Sequence, residues 1–333
     1  MSASTRVRFE RIEEAVRLVD PVFLGSPQYE CEALGLELGV RCVVKVETLN
    51  PIRSFKGRGA ELFVARDAHG EALVCASAGN FGQAMAYACR SRAMSLIVFA
   101  AEDANRLKVE RMRALGADVR LAGGDFDAAK AAARSYAERS GRLFVEDGRE
   151  PAVAEGAGTL ALELFAAEPE LDAVLVPLGN GALAAGVGTV ARVLAPSVRV
   201  VAVAAAGAPA MAWSLRDGRL TETPAVDTIA DGVAVRVPVP EALADLRGLL
   251  DEVRLVEDEA IVRAMRLVHR HVGVVVEPAG AVGIAALLGE TGSVGARVAT
   301  VLCGGNLTPD QVREFLCGNR GFARRAFGER QGG

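Results

Sequence analysis

Residues 42–65 read CVVKVETLNPIRSFKGRGAELFVA, and the interpretation of the whole chain starts from this stretch. The apolar run Cys42–Val46 predicts a buried strand, and the run Ala60–Ala65 predicts a helix. Lys56 lies in the corner between them, which is where α/β folds bind their ligands. Most lysines near a helix start are simply solvated. An amine held among small and apolar residues loses its hydration and can act as a nucleophile or a base, so Lys56 is the first catalytic candidate.

Outward from this corner, apolar runs alternate with helical patterns. Strands are predicted at 72–75, 95–100, 118–121, 143–146, 173–177, 198–204 and 297–303. Helices are predicted at 81–92, 105–115, 126–140, 159–167, 182–194, 208–216, 241–250, 257–271 and 279–288. Most of these strands are apolar throughout, as expected when helices cover both faces of a sheet. The alternation predicts an α/β fold of parallel βαβ units, with two open-sheet domains and the active site between them.

Composition and charge disfavour several classes of function. The 333 residues are 51% hydrophobic and carry a net charge of −4, so no basic excess favours a nucleic-acid partner. The sequence has no run of 18 apolar residues and no apolar signal core in its first ten, which predicts a cytoplasmic protein with no membrane partner. No C-x-x-C pair and no metal-ligand spacing occurs, so neither disulfides nor a metal are expected. The cysteines and histidines are Cys31, Cys42, Cys75, Cys89, Cys303, Cys317, His69, His269 and His271.

Three glycine-containing loops each follow an apolar run. They read SAGNFGQ at 77–83, PLGNGAL at 177–183 and CGGN at 303–306. The first two open a predicted helix, whose free N–H groups favour an anion. Taken alone, such a loop usually needs its glycine and asparagine only to make a tight turn. The dinucleotide fingerprint G-x-G-x-x-G is incomplete because its third position is Ala184, and no G-K-[ST] occurs. One reactive lysine with one phosphate-sized nest suits a small phosphorylated aldehyde, namely pyridoxal phosphate.

Six segments in chain order resemble the motifs of fold-type II pyridoxal-phosphate enzymes, most closely the threonine/serine dehydratase and serine racemase branch. They are S-F-K-x-R-G at 54–59, S-x-G-N-H-G-Q at 77–83, E-G-x-G-T at 155–159, A-[DE]-G-V at 230–233, E-P-[ST]-x-[AG] at 277–281 and [SC]-G-G-N at 303–306. The resemblance covers nearly the whole chain. It implies a tryptophan synthase β-like fold, the cofactor pyridoxal 5'-phosphate and a homodimer. Residues 1–71 and 149–333 would form a large cofactor-binding domain, and residues 72–148 a small mobile domain.

The resemblance also implies roles for individual residues. Lys56 would bind the cofactor as a Schiff base and then act as the base toward the α-proton, while Phe55 would pack on the cofactor ring. Asn80 would hydrogen-bond the ring hydroxyl, and Cys303 would face the pyridine nitrogen as a weak partner. The remaining cofactor contacts would be Gly179, Asn180, Gly181, Ala182 and Leu183 around the phosphate, and Gly232. The substrate loop would comprise Ser77, Ala78, Gly79, Asn80 and Phe81.

Several positions depart from the motifs of this branch. Racemases carry a second serine at the position of Ala78, which cannot move a proton, so efficient racemisation is disfavoured. Residues 204–210 offer no carboxylate where the racemases bind a divalent cation, so no metal is predicted. The phosphate loop Gly179–Ala182 is faintly like that of threonine synthases, which keeps a synthase alternative open. Phe81 and Arg53 replace other residues near the pocket. For Arg53 the favoured interpretation is a solvated side chain, with a ligand for an acidic substrate group as the alternative.

The sequence therefore predicts a β-eliminating lyase that converts a β-hydroxy amino acid, such as L-threonine or L-serine, into a 2-oxo acid and ammonia. Two alternatives stay open within the same family. One is a β- or γ-replacement synthase, and the other is a dehydratase of a bulkier substrate such as an aryl-serine or hydroxyaspartate. A binding module without catalysis is disfavoured because Lys56 is present.

Overall fold

The computed structural model describes residues 6–289 and 294–317. Its strands are β1 (Gln28–Glu30), β2 (Arg41–Val46), β3 (Leu73–Ala76), β4 (Leu96–Ala100), β5 (Asp118–Leu121), β6 (Leu143–Val145), β7 (Ala173–Pro177), β8 (Arg199–Ala205), β9 (Glu252–Val256) and β10 (Arg297–Leu302). Its helices are α1 (Phe9–Ala15), α2 (Glu32–Leu38), α3 (Lys56–Arg66), α4 (Asn80–Ser91), α5 (Arg106–Ala114), α6 (Phe126–Ser140), α7 (Pro151–Ala167), α8 (Ala182–Leu194), α9 (Ala210–Asp217), α10 (Pro240–Leu246), α11 (Asp258–His271), α12 (Pro278–Leu287) and α13 (Pro309–Phe315).

The strands form two sheets. The larger has the order β1-β2-β10-β7-β8-β9, in which every neighbouring pair is parallel except β1 with β2. The smaller has the order β5-β4-β3-β6 and is entirely parallel. This arrangement confirms the predicted α/β fold with two parallel-sheet domains. The small sheet uses strands between residues 73 and 145, inside the predicted 72–148 domain, whose limits and mobility stay predictions.

The burial of β2 shows why its sequence is apolar. Val43 packs into the core on one face of the large sheet, with α3, α7 and α8. Cys42, Val44 and Val46 pack into the core on the other face, with α11 and α12. Because both faces are covered, a run without polar alternation is the stable choice for this strand.

Some element boundaries differ from the prediction. The sequence pattern does not predict the edge strands β1 and β9, because both are mostly half-buried or exposed and lack an apolar run. Helix α3 begins at Lys56 rather than at Ala60, and α7 begins at Pro151 rather than at Thr159. The E-G-x-G-T segment at 155–159 therefore lies inside α7, not at its start. In the described part of the chain, no helix has the length and apolarity that crossing a membrane requires.

The topology brings five loops to one region. The loops after β2, β7 and β10 leave the carboxyl ends of neighbouring parallel strands in the large sheet. Those after β3 and β6 leave the same ends of neighbouring strands in the small sheet. In parallel sheets these ends lie at one edge, where ligands bind. The bridge between Ser54 and Gly304 joins two of the loops directly.

Candidate active site

The loop before Lys56 is folded by one asparagine side chain. Asn50 Oδ1 accepts hydrogen bonds from the N–H groups of Ile52 and Ser54, at 3.2 Å each. Its amide nitrogen donates to the carbonyl of Glu47 at 2.9 Å and to that of Ser54 at 3.1 Å. The Asn50 side chain thus bonds backbone groups that no longer pair within the sheet once β2 has ended. Lys56 thereby starts α3 from a fixed point at the edge of the sheet.

Lys56 is paired with a carboxylate that the sequence analysis did not identify. Its Nζ lies 2.6 Å from Asp147 Oδ2, and its side chain is 14% exposed. The rings of Phe55 and Phe81 lie 4.9 and 6.0 Å from the same nitrogen. The expectation of small and apolar surroundings was therefore incomplete. Asp147 follows β6 at its carboxyl end, which is the signal that could have identified it.

Asn80 lies at the centre of a hydrogen-bonded group. Its amide nitrogen donates to Glu277 Oε1 at 2.6 Å, and its Oδ1 accepts from Asn306 Nδ2 at 2.8 Å. The backbone N–H of Asn306 donates to Glu277 Oε2 at 3.2 Å. These bonds hold the start of α4 in the small domain against two loops of the large domain. The sequence motifs contain Glu277 and Asn306 but do not by themselves assign a role to either.

Glu277 is a buried carboxyl that holds its proton more readily than usual. Burial raises its pKa first, and repulsion from Asp231 raises it further, against the attraction of Lys108. Lys108 is itself buried and ion-paired with Asp231. Burial lowers the pKa of Lys108, but attraction to Asp231 and Glu277 outweighs it, so the net shift is upward. Lys108 in the small domain and Asp231 in the large domain thus join the two sides of the cleft by an ion pair.

The predicted substrate loop forms a turn around a serine hydroxyl. Ser77 Oγ accepts hydrogen bonds from the N–H groups of Gly79 and Gly82, at 3.1 and 2.9 Å. Ser77 is buried, whereas Ala78, Gly79 and Asn80 are half-buried and border the cleft. Phe81 is buried within the core. The structure therefore brings the loop beside Lys56, and its contact with a substrate carboxylate stays a prediction.

The predicted phosphate loop needs its glycines. Gly181 has φ of +87°, a left-handed conformation that other residues adopt only with strain, and an added Cβ would lie 2.9 Å from Leu246. A Cβ on Gly179 would lie 2.9 Å from the carbonyl of Gly232, so these loops pack backbone to backbone. Helix α8 then starts at Ala182, and no side chain of the described residues caps it. Together with Asn180 and Leu183, this start presents N–H groups suited to an anion.

Cys303 lies at the end of β10, buried beside the site. Its carbonyl accepts a hydrogen bond from Phe55 N–H at 3.0 Å, which ties it to the loop before Lys56. Burial raises the pKa of its thiol, and repulsion from Glu277 adds to the shift. The thiol is therefore neutral at physiological pH. Such a group neither demands nor supplies a proton at a ring nitrogen, consistent with its predicted place facing the cofactor.

The residues present fit a phosphorylated aldehyde bound to an amine. Lys56 would supply the amine, and the start of α8 would hold the phosphate. Asp147 lies between them, because it pairs with Lys56 and is followed by Gly148, which packs on the loop before α8. A Cβ on Gly148, the residue after Asp147, would lie 2.6 Å from the carbonyl of Asn180. Asp147 Oδ1 is buried without a hydrogen-bond partner in the described part of the chain, as expected of a wall that faces a bound group. The residue-by-residue contacts to that group remain predictions.

Metal binding has no structural candidate in the described residues. No cluster of three or more His, Cys, Asp or Glu residues with metal-binding geometry occurs within residues 6–289 and 294–317. The absence of a metal stays a prediction from the sequence.

Comparison with known proteins identifies the family. A family model described as "Pyridoxal-phosphate dependent enzyme" matches residues 19–304. The chain is 38% identical to an L-threonine ammonia-lyase of Geobacter sulfurreducens, covering 81% of this chain and 68% of that protein. It is 33% identical to the L-threonine ammonia-lyase of Thermotoga maritima, covering 96% of this chain and 80% of that protein.

Solved structures agree with the sequence matches. The processed form of threonine deaminase isoform 2 from Solanum lycopersicum superimposes with a TM-score of 0.85 at 30% identity, covering 92% of this chain and 86% of that one. Maize serine racemase superimposes with a TM-score of 0.86 at 27% identity, covering 93% and 96%. The family model and the relatives each cover most of the chain. The protein therefore belongs to the pyridoxal-phosphate-dependent enzymes, and its cofactor is pyridoxal phosphate.

Proposed function

We propose that the protein is an ammonia-lyase that converts a β-hydroxy amino acid, L-threonine or L-serine, into a 2-oxo acid and ammonia. The observation that carries this proposal is the position of Lys56. It begins α3 at the point where the carboxyl ends of both sheets meet, with its amine directed into the cleft toward Asp147. Relatives named L-threonine ammonia-lyase share most of the chain, which supports the same chemistry here.

The bound cofactor would supply an electron sink that makes the α-proton of an amino acid removable. Lys56 would take that proton, because its amine faces the cleft. Asp147 would then accept a hydrogen bond from the ammonium group that forms, as it does from Lys56 in the structure. Ser77, with the backbone of the turn from Gly79 to Gly82, would hold the substrate carboxylate and so orient the α C–H bond toward Lys56. The start of α8 would hold the phosphate.

Ala78 limits the chemistry to one face of the substrate. A racemase needs a second acid or base opposite the first, and a methyl group cannot transfer a proton. The half-buried Ala78 borders the cleft beside Gly79 and Asn80. With one base only, removal of the α-proton is followed by loss of the β-hydroxyl rather than by return of a proton to the opposite face.

The test uses purified protein loaded with pyridoxal phosphate. L-threonine or L-serine alone should give ammonia and the corresponding 2-oxo acid in equal amounts. The loaded protein should absorb at about 410–430 nm, and the Lys56→Ala variant should lack this band. A requirement for a second nucleophile or a phosphorylated substrate would instead indicate the synthase alternative and would contradict the lyase.

We also propose a cytoplasmic homodimer, which rests on the family resemblance alone. Light scattering coupled to size-exclusion chromatography measures the mass in solution. A mass near twice 34.8 kDa is expected, and a monomer at micromolar concentration would contradict it.

A further inference from the structure

Two arginines at the edge of the cleft have no carboxylate partner among the residues that the structure describes. Arg53 lies in the loop before α3, and Arg111 lies in α5 of the small domain. Within residues 6–289 and 294–317, neither guanidinium forms an ion pair. By contrast, Lys108, one turn before Arg111 on the same face of α5, is paired with Asp231. Two guanidinium groups without a carboxylate partner are available for an anion from outside the chain.

Hydrogen bonds place Arg111 close to the predicted substrate and cofactor contacts. Its Nη1 donates to Asn306 Oδ1 at 2.6 Å. The amide nitrogen of Asn306 donates both to Asn80 Oδ1 and to the carbonyl of Ile52, each at 2.8 Å. Arg111 is thus two hydrogen bonds away from Asn80. It is half-buried, and its remaining N–H groups are in a position to bind a ligand.

Arg53 is held on the same loop in a conformation that arginine rarely adopts. Its φ is +53°, in the left-handed region where a side chain other than glycine is strained. Its N–H donates to the carbonyl of Asn50 at 3.0 Å, and its carbonyl accepts from Gly305 N–H at 2.9 Å. Glycine would satisfy this backbone without strain. The exposed Arg53 side chain is thus carried by a loop whose backbone is fixed by hydrogen bonds.

The two positive charges influence each other. Burial lowers the pKa of Arg111, and repulsion from Arg53 lowers it further. A bound anion would relieve this repulsion, and guanidinium groups match the planar geometry of a carboxylate through paired N–H donors. The α-carboxylate of the substrate is already assigned to the turn around Ser77. The arginine pair therefore suits a second carboxylate, at the side-chain end of the substrate.

We propose that Arg53 and Arg111 bind the β-carboxylate of a dicarboxylic β-hydroxy amino acid, so that 3-hydroxyaspartate is the preferred substrate. This inference rests on the proposed lyase function. The α C–H and β C–O bonds break, and the proton and hydroxyl leave as water. The resulting enamine tautomerises to an imine, which takes up one water and releases ammonia, leaving oxaloacetate. No oxidant or reductant is needed.

The test compares kcat/KM for 3-hydroxyaspartate, in its threo and erythro forms, with kcat/KM for L-threonine. The wild type should prefer one form of 3-hydroxyaspartate to L-threonine. Arg53→Gly relieves the backbone strain, and Arg111→Lys keeps a positive charge without the planar fork. Each should lower the ratio of the two constants about 10- to 100-fold, the loss expected for a hydrogen bond to a charged group. Arg106→Ala, an exposed arginine on the same helix, should leave the ratio unchanged.

Three outcomes would overturn the inference, and they are distinguishable. If L-threonine or L-serine releases ammonia but 3-hydroxyaspartate is no better, the lyase stands and the arginine site fails. If the ratio falls equally in Arg106→Ala, the effect is general surface charge. If neither class of substrate releases ammonia, the lyase itself fails. Malonate provides a further check: it should inhibit the wild type but act more weakly on Arg53→Gly, and equal inhibition of both proteins would place the anion outside the substrate pocket.

Discussion

Lys56 and Arg58 lie two residues apart on α3, yet they occupy opposite environments. Two helical residues are separated by about 200° around the axis, so they face opposite sides. Lys56 points into the cleft and has one carboxylate neighbour, Asp147. Arg58 points into the core, where its side chain is fully buried. The comparison shows how one helix start serves both chemistry and stability.

The Arg58 side is a saturated ionic cluster. Arg58 donates to both oxygens of Glu47 at 2.9 Å each and to both oxygens of Glu163 at 2.7 and 3.0 Å. Lys45 adds a second cation, 2.5 Å from Glu163. Burial would lower the pKa of Arg58, but the two carboxylates raise it well above its ordinary value. The Arg58 guanidinium therefore stays charged and contributes to stability, whereas Lys56 is the amine on the cleft side.

The largest expected effect comes from removing the amine. Lys56→Ala should lower kcat/KM for L-threonine about 10³-fold or more, because both the cofactor anchor and the base are lost. Lys56→Arg is the matched control, since it keeps the positive charge near Asp147 without a primary amine. Both variants should be inactive in ammonia release. Lys56→Arg with an activity comparable to the wild type would show that charge alone suffices.

On the opposite face, Arg58→Met should cost stability. The buried carboxylate of Glu47 would lose its ion pair, and the half-buried Glu163 would keep only Lys45. Breaking a buried pair by removing one partner costs about 3–5 kcal/mol. Urea denaturation of the apoprotein measures the free energy of unfolding. The control is Arg216→Met, whose side chain is 69% exposed and pairs with Asp217, and which should change stability by less than about 1 kcal/mol. Equal losses of unfolding free energy in the two variants would contradict the prediction that the buried cluster stabilises the fold more than a surface pair does.

The phosphate cradle is a smaller but separable contribution. Gly181→Ala adds a strained left-handed residue and a contact with Leu246, costing about 1–3 kcal/mol, and should weaken pyridoxal phosphate binding about tenfold. Gly39→Ala is the control, because its φ of +71° gives similar strain while nothing lies near the added Cβ in the described part of the chain. Cofactor titration followed by absorbance should separate them. Comparable affinity in both variants would contradict the role of the α8 start.

The smallest expected effect is the pH dependence of the core cluster. Burial alone would raise the pKa of Glu163, but hydrogen bonds and attraction from Arg58 and Lys45 lower it below its ordinary value of 4.5. The charged form is therefore favoured in the folded state. Its stabilisation is present above that value and is lost as the pH falls through the lowered pKa. Glu163→Gln should flatten the fall in melting temperature between about pH 5 and pH 3, and an unchanged slope would contradict this assignment.

Most of the fold follows from local patterns. The sequence predicts the apolar strands, the helices between them and the glycine loops. It can do so because apolar runs, helical periodicity and glycine turns are each contained in short stretches of the chain. The edge strands β1 and β9 lack that signal, because their exposure depends on the rest of the sheet. The start of α3 differs from the prediction because Gly57 and Gly59 lower the helix propensity of its first turn, which packs against α7 in the structure.

The sequence by itself determined that Lys56 would lie at a strand-to-helix corner, because that depends on neighbours along the chain. It could not show that Asp147, 91 residues away, accepts a hydrogen bond from Lys56, or that Asn80 donates one to Glu277 across 197 residues. Nor could it show that Arg53 and Arg111 lie close enough for their charges to interact. Such pairings depend on where separate strands end in space, and only the tertiary structure decides that.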